Sequence, residues 1–130
     1  MPIEISEAPS IAGSQAQADW KRLAALIDHT LLKADATNAN VEQLCSEAAA
    51  NDFACVMVNP THVGLAASVL AGTAIKVGTV VGFPLGANTT AVKRYEALDA
   101  IRLGACEIDM VMNIGALKSG DRARVQADMQ

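Results

Sequence analysis

The chain has 130 residues, of which 52% are hydrophobic and 18% charged, so it has the length of one domain and enough apolar side chains for a core. Its net charge of −4, with lysines and arginines scattered singly, argues against nucleic acid and anionic membrane surfaces as partners. No apolar run approaches the roughly 20 residues that span a bilayer. The first residues also lack the pattern of a signal peptide, so we expect a soluble, cytoplasmic protein.

The three cysteines, Cys45, Cys55 and Cys106, lie in apolar surroundings and lack the spacing of metal ligands. This context is typical of reduced thiols that pack as small hydrophobic side chains in a cytosolic protein. With only two histidines in the chain, a zinc site is not expected.

Residues 1–14 are small and polar and are predicted to form a flexible tail, followed by a short helix over residues 15–25. Four apolar runs are predicted to be strands, at residues 26–32, 53–58, 75–81 and 107–113. The first helix between them has helical spacing from Val41 to Ala49, with Thr37 or Asn38 as its N-cap.

The second helix between strands spans about residues 63–70 and is closed by Gly72. Asn88 or Thr89 is predicted to cap the third, and Gly104 to end it. The apolar side of this third helix is predicted to consist of Val92, Tyr95, Leu98 and Ile101. A last helix begins around residues 118–121.

Strands that alternate with helices predict βαβ units and a parallel sheet. Such a sheet can be an open doubly wound one or an arc of a (β/α)8 barrel, and the absence of a Gly-rich dinucleotide or Walker-type loop favours the barrel. A barrel of this type takes about 250 residues. We therefore expect residues 15–130 to be the first half of a TIM barrel, with edge strands covered by another chain or by the rest of a longer protein.

Asp109 is the most unusual residue of the predicted sheet, because it lies in the middle of the apolar run 107–113. A charged, unpaired carboxylate buried there would cost several kcal/mol. It therefore requires a hydrogen-bonding or cationic partner, or it has a shifted pKa that serves chemistry. A structural polar network and a catalytic role both remain open from the pattern alone.

Strand side chains alternate between the barrel interior and the helix layer. With Asp109 placed inside, this alternation predicts an interior that also contains Asp28, Thr30, Cys55, Met57, Thr79 and Val81. His29 is then expected to face the helices, His62 to face solvent, and Lys76 to point outward with its stem buried. Asn59 ends the second strand, at the side where barrel active sites lie.

Four segments resemble the deoxyribose-phosphate aldolase family. They are Asp-His-Thr-Leu-Leu-Lys at residues 28–33, Cys-Val-Met-Val-Asn-Pro at 55–60, Val-Val-Gly-Phe-Pro-Leu-Gly at 80–86 and Glu-Ile-Asp-Met-Val-Met-Asn-Ile-Gly-Ala-Leu at 107–117. The resemblance runs in register from about residue 23 to the last residue, with the motifs in the family's order.

The resemblance implies a (β/α)8 barrel that cleaves 2-deoxy-D-ribose 5-phosphate reversibly to acetaldehyde and glyceraldehyde 3-phosphate, without metal or other cofactor. The reaction uses a lysine Schiff base as an electron sink. Asp109 matches the family's catalytic aspartate, which transfers protons through a water. Asp28, Thr30, Cys55 and Phe83 match residues that line the substrate pocket.

The family's Schiff-base lysine, its second catalytic lysine and its phosphate-binding loops have no match in this chain. The resemblance therefore implies that the 130-residue chain alone is inactive. Two alternatives are a non-catalytic half-barrel that pairs with another copy or chain, and a different class I barrel aldolase that shares this half. Whether the protein is a homo-oligomer stays open.

Overall fold

The computed structural model describes residues 14–130. The predicted tail at residues 1–13 lies outside the described residues, and Ser14, assigned to that tail, begins the first helix. The described chain alternates strands and helices in the predicted order, and its elements are α1 Ser14–Ala24, β1 Asp28–Leu31, α2 Asn38–Asn51, β2 Cys55–Val58, α3 Val63–Val69, β3 Lys76–Val81, α4 Thr90–Leu103, β4 Glu107–Met110, α5 Ile114–Lys118 and α6 Arg122–Ala127.

The helix ends follow from local hydrogen bonds that the sequence encodes. Thr37 caps α2 in a capping box with Asn40, and Thr89 caps α4 by accepting the backbone N–H of Val92. Gly104 ends α4 with a φ of 111°, a left-handed conformation that glycine adopts without strain. These caps confirm Thr37, Thr89 and Gly104 among the predicted residues.

The fourth strand is shorter than predicted. β4 ends at Met110, and Asn113 instead caps α5, its side-chain oxygen accepting the backbone N–H of Ala116 at 2.9 Å. An asparagine competes for backbone hydrogen bonds more readily than an apolar residue does, so it ends the extended run.

The four strands form one parallel sheet in the order β1-β2-β3-β4. Side chains that alternate along each strand give the sheet two faces. On the face we call closed, Val56, Val58, Val77 and Ile108 pack against α2, α3 and α4 and form the main core. We call the opposite face open, and the strand register shows which residues belong to it. They are Asp28, Thr30, Cys55, Met57, Lys76, Gly78, Val80, Glu107 and Asp109.

The side of α4 that packs inward differs from the prediction. Val92, Tyr95, Leu98 and Ile101 are each 46–68% exposed, whereas the buried residues of α4 are Lys93 and Ala100. The prediction was wrong because small Ala100 permits close packing on the sheet and Lys93 is neutralised by a distant partner. Hydrophobic spacing alone shows neither property.

Candidate functional site on the open face

Asp109 lies on the open face, opposite the helices, in agreement with the interior side on which it was expected. It is the register partner of Val80 and is the next-to-last residue of β4, so it lies close to the carboxyl edge of the sheet. (β/α)8 barrels place their active sites at this edge. The geometry therefore puts a carboxylate where a barrel enzyme would use one.

The expectation that Asp109 is buried was wrong for this chain. Its side chain is exposed, and within residues 14–130 its carboxylate forms no hydrogen bond or ion pair. The physical reason is that β4 is an edge strand and its open side carries no further layer. An exposed carboxylate stays hydrated, so the desolvation cost that motivated the expectation does not arise.

Asp28 and Cys55 are register partners at the amino ends of β1 and β2, and Thr30 pairs with Met57 one step further along. The hydroxyl of Thr30 donates to the backbone carbonyl of Asp28 at 2.8 Å. These residues share a face with Asp109, but β2 and β3 lie between β1 and β4. The structure therefore brings Asp28 and Cys55 together and leaves Asp109 apart from both.

Cys55 is fully buried although it belongs to the open face. Burial raises the pKa of its thiol to about 12, and the negative charges of Glu107 and Asp28 act in the same direction. A thiol in this state is a weak nucleophile. Its place in the site is therefore that of a small packing residue.

The alternation assigned to β3 was wrong. Gly78 pairs with Met57 and Glu107, so Lys76 belongs to the open face, and Thr79 and Val81 belong to the closed face. Thr79 is fully buried there because its hydroxyl donates to the carbonyl of Val58 at 2.7 Å. The prediction for Thr79 and Val81 rested on alternation with Asp109 placed inside, and one backbone acceptor is enough to bury the Thr79 hydroxyl among the helices instead.

Charge is concentrated on the open face. It carries three carboxylates, those of Asp28, Glu107 and Asp109, and a single ammonium group, that of Lys76. Lys76 Nζ lies 3.9 Å from the carboxylate of Glu107, and its side chain is 62% exposed. The open face therefore has an excess of negative charge, which favours an additional cation.

Phe83 lies in the loop of residues 82–86, directly after β3, and is 47% exposed. The loop contains a cis peptide bond between Phe83 and Pro84. Asn59 follows β2 at the same edge and donates from its side-chain amide to the carbonyl of Lys33 at 3.4 Å. Phe83 thus has an accessible ring at the carboxyl edge, whereas the amide of Asn59 is used to hold the segment after β1.

The two histidines lie away from the open face. His29 faces the helix layer as predicted, where Nε2 lies 2.8 Å from the carboxylate of Glu47 and the ring centroid lies 5.1 Å from that of Phe53. His62 ends a 3-10 turn, Pro60–His62, that contacts β3, so it is partly buried where full exposure was expected. The ring of His29 is therefore not placed to act on the same ligand as Asp109.

The structure contains a buried ion pair that the sequence pattern did not predict. Lys93 Nζ donates to Asp128 Oδ2 at 2.6 Å, and the two side chains are 1% and 2% exposed. The hydrogen bonds from Lys93 and from Thr90 hold the pKa of Asp128 below its usual range. The sequence signal that could have found it is a lysine next to the expected apolar positions of α4, but its partner is 35 residues away.

Residues 14–130 contain no group of three or more histidine, cysteine or carboxylate side chains that could hold a metal ion. Across the same residues, the helices are too short or too polar to cross a lipid bilayer.

The sequence matches a family model described as DeoC/LacD family aldolase over residues 22–130. It is 58% identical over 109 residues to the deoxyribose-phosphate aldolase of Exiguobacterium sibiricum, covering 83% of this chain and 49% of that relative. The chain therefore spans about half the length of the curated relatives it matches.

Two solved structures have the same arrangement of strands and helices. An aldolase named QR15 superposes with a TM-score of 0.77 at 38% identity, covering 82% of this chain and 47% of the other. A tetrameric deoxyribose phosphate aldolase from Aeropyrum pernix gives a TM-score of 0.70 at 29% identity, covering 88% and 53%. The four β/α units are thus half of a (β/α)8 barrel, and the chain belongs to the DeoC/LacD family of aldolases.

Proposed function

We propose that the chain supplies the first four β/α units of a deoxyribose-phosphate aldolase of deoxyribonucleotide catabolism. The substrate would be 2-deoxy-D-ribose 5-phosphate and the products acetaldehyde and D-glyceraldehyde 3-phosphate. The observation that carries the proposal is the place of Asp109. In a chain of this family, it lies on the open face and next to the carboxyl edge of a parallel sheet.

The proposed reaction requires an amine and a group that moves protons. A lysine amine displaces the C1 oxygen of the substrate as water, and the protonated imine accepts the electron pair of the C2–C3 bond as that bond breaks. The C3 hydroxyl loses its proton and becomes the aldehyde of glyceraldehyde 3-phosphate. The remaining enamine is protonated on carbon, and water then releases acetaldehyde. Asp109 is proposed to move these protons through a water molecule.

The charge of the open face supports this assignment. A catalytic lysine that enters beside Asp109 adds positive charge to a face on which the carboxylates of Asp28, Glu107 and Asp109 outnumber the ammonium of Lys76. Asp109 would thereby also hold the lysine charges in place. Asp28, Thr30, Cys55 and Phe83 are proposed to shape the substrate pocket around it.

The amine itself must come from outside this chain. Lys76, the lysine of the open face, is the first residue of β3, at the edge remote from Asp109, and faces Glu107. Lys33, two residues after β1, lies at the carboxyl edge, but β2 and β3 separate that strand from β4 and Asp109. Without an amine close to Asp109 there is no imine on which the carboxylate can act. We therefore propose that the 130-residue chain is inactive until a second half supplies the lysines and the phosphate-binding loops.

The test compares the 130-residue chain with a fusion in which the unmatched part of the Exiguobacterium sibiricum relative follows Gln130. Formation of glyceraldehyde 3-phosphate is measured by coupled NADH oxidation. We expect background rates from the chain alone, and cleavage together with borohydride-trappable substrate from the fusion. Activity of the isolated chain would refute the requirement for a second half. A folded but inactive fusion would refute the proposed function.

Asp109→Asn in the fusion tests the aspartate. Loss of a positioned proton-transfer group typically costs between about 100-fold and 10,000-fold in rate, so we expect kcat to fall at least about 100-fold. Asp99→Asn is the matched control, because Asp99 forms an exposed pair with Arg102 on α4 at 3.3 Å. Equal rates in the two variants would remove Asp109 from the mechanism.

One observation favours a binding role as the second candidate. The apolar side of α4 is exposed, and β1 and β4 are the two edge strands of the sheet, so another chain could cover each of these regions. The oligomer size of the 130-residue chain, measured by light scattering, separates the cases. A stable dimer with dispersed NMR signals supports a half-barrel interaction module, whereas association only with the second half supports the aldolase.

A further inference from the structure

Lys93 is the largest side chain with full burial in the described part of the chain. Its ammonium donates to one oxygen of Asp128, and the hydroxyl of Thr90 donates to the other oxygen, both at 2.6 Å. Both carboxylate oxygens are therefore hydrogen-bonded, which offsets the desolvation of the charges. The pair joins α4 to the residue directly after α6.

The stem of Lys93 lies against the first residue of the 82–86 loop. A Cβ built on Gly82 would lie 3.0 Å from Cε of Lys93, and the φ of Gly82 is +64°. One helical turn further along α4, the carboxylate of Glu96 accepts the backbone N–H of Gly82 at 3.0 Å. Two side chains of α4 thus fix the conformation of the chain where it leaves β3.

The other end of the loop is equally constrained. The N–H of Gly86 donates to the carbonyl of Gly82 at 2.7 Å, closing a tight turn around residues 83–85. A Cβ on Gly86 would overlap the carbonyl oxygen of Met112, which follows β4. The loop is therefore held between α4 on one side and the segment after β4 on the other.

We propose that Lys93 is a positioning residue: with Asp128 and Glu96 it forms a clamp that fixes the 82–86 loop, and through it Phe83, at the carboxyl edge of the sheet. The effect on substrate rests on the proposed aldolase function, whereas the effect on the loop does not. Lys93 acts through the loop and has no contact with the open face, since its ammonium is enclosed between α4 and Asp128.

The same geometry excludes Lys93 as the Schiff-base amine. A nucleophilic lysine needs a deprotonated amine that substrate can reach. The ammonium of Lys93 is enclosed and donates a hydrogen bond to the buried carboxylate of Asp128, so substrate cannot reach it. Borohydride trapping in the fusion is therefore expected to survive Lys93→Met.

Amide hydrogen exchange of the 130-residue protein, followed by NMR, tests the clamp directly. In Lys93→Met we expect protection of the Gly82 and Gly86 amides to fall at least about 10-fold, while protection of Val58 and Val80 in the strands is retained. Arg102→Met is the matched control, because it removes an exposed cation from the same helix. Loop protection unchanged in Lys93→Met would overturn the proposal.

Glu96→Ala provides a second variant in case Lys93→Met does not fold. It removes the acceptor of the Gly82 amide without touching the ion pair, so exchange should accelerate at Gly82 more than at Gly86. Exchange that rises equally in loop and strands, in either variant, would show a general loss of stability and would also overturn the clamp.

In the fusion, Lys93→Met should raise KM for deoxyribose 5-phosphate about 10-fold at a temperature far below the unfolding midpoint, with borohydride trapping retained. A lower midpoint with unchanged KM would reduce Lys93 to a stabilising residue. The two proposals fail separately, because an inactive wild-type fusion concerns the aldolase function and leaves the exchange result standing.

Discussion

The two faces of the sheet are built on the same strands, yet they differ in what their side chains contribute. The closed face is a layer of valines and isoleucine packed under α2, α3 and α4, and its polar side chains have partners: Thr79 donates to a backbone carbonyl, and His29 lies beside the carboxylate of Glu47. The open face carries four charged residues together with Thr30 and Gly78, and its apolar side chains are only three, those of Cys55, Met57 and Val80. Stability is thus concentrated on one face, and chemical groups are available on the other.

Cys55 gives the largest expected effect, because its thiol is fully buried although the open face carries no further layer. A rise in thiol pKa from 9.0 to about 12 lowers the thiolate fraction near pH 8 about 1,000-fold. Iodoacetamide at pH 8 should therefore modify exposed Cys106 quickly and Cys55 only after unfolding, as measured by mass spectrometry of peptides. Rapid labelling of Cys55 in the folded protein would show that fluctuations of the open face expose a thiol that is fully buried in the structure.

Leu44→Ala tests the closed side of the comparison. Leu44 is 6% exposed in the core, and its truncation should lower the free energy of unfolding by about 3 kcal/mol. Thr30→Ala on the open face should change it by less than about 0.5 kcal/mol. Urea denaturation of both variants measures the difference, and similar losses would contradict a division of labour between the faces.

Comparison of the wild type with Asp128→Asn tests how the contribution of the buried pair to stability depends on pH. The pKa of Asp128 is lowered from 3.8 in the folded protein, so its stabilising effect is fully present above about pH 5. That effect is lost as the pH falls through the lowered folded value. We expect the variant to be less stable by about 3 kcal/mol at pH 6 and the difference to shrink towards pH 3. A difference that does not vary with pH would show that the charge of Asp128 is unimportant.

Lys76→Met should have the smallest effect. Its pair with Glu107 spans 3.9 Å between side chains that are 62% and 36% exposed, and exposed pairs contribute at most about 1 kcal/mol. The free energy of unfolding, measured in urea, should therefore fall by less than about 0.5 kcal/mol, which is a smaller loss than that expected for Asp128→Asn. A larger loss would indicate that Lys76 is needed to balance the carboxylates of the open face.

Much of the fold could be predicted from the sequence because its signals are local. The caps Thr37, Thr89 and Gly104 act on backbone groups within a few residues, so their side chains or conformations identify them without knowledge of the sheet. The order of strands and helices follows from similar local patterns. The placement of Asp109 on the open face, opposite the helices, agrees with the interior position assumed for it, although alternation along one strand does not by itself select that face.

The wrong predictions concerned features that depend on contacts between groups far apart in the sequence. The facing of β3 is set by its pairing with β2 and β4, and a strand with apolar residues on both faces gives no signal of its own. The burial of Lys93 depends on Asp128, and the exposure of Asp109 depends on β4 being an edge. The roles of Asp28, Thr30, Cys55, Phe83 and Asp109 in catalysis stay predictions.

The paired glycines of the 82–86 loop bear on any effort to alter substrate range. A side chain at Gly86 would overlap the backbone of Met112, and one at Gly82 would be strained by the φ of +64° and would press on Lys93, whereas Phe83 and Leu85 are 47% and 72% exposed. A library randomised at positions 83 and 85 would therefore sample new chemistry on a frame of constant length. Substitutions at positions 82 or 86 would instead strain the turn.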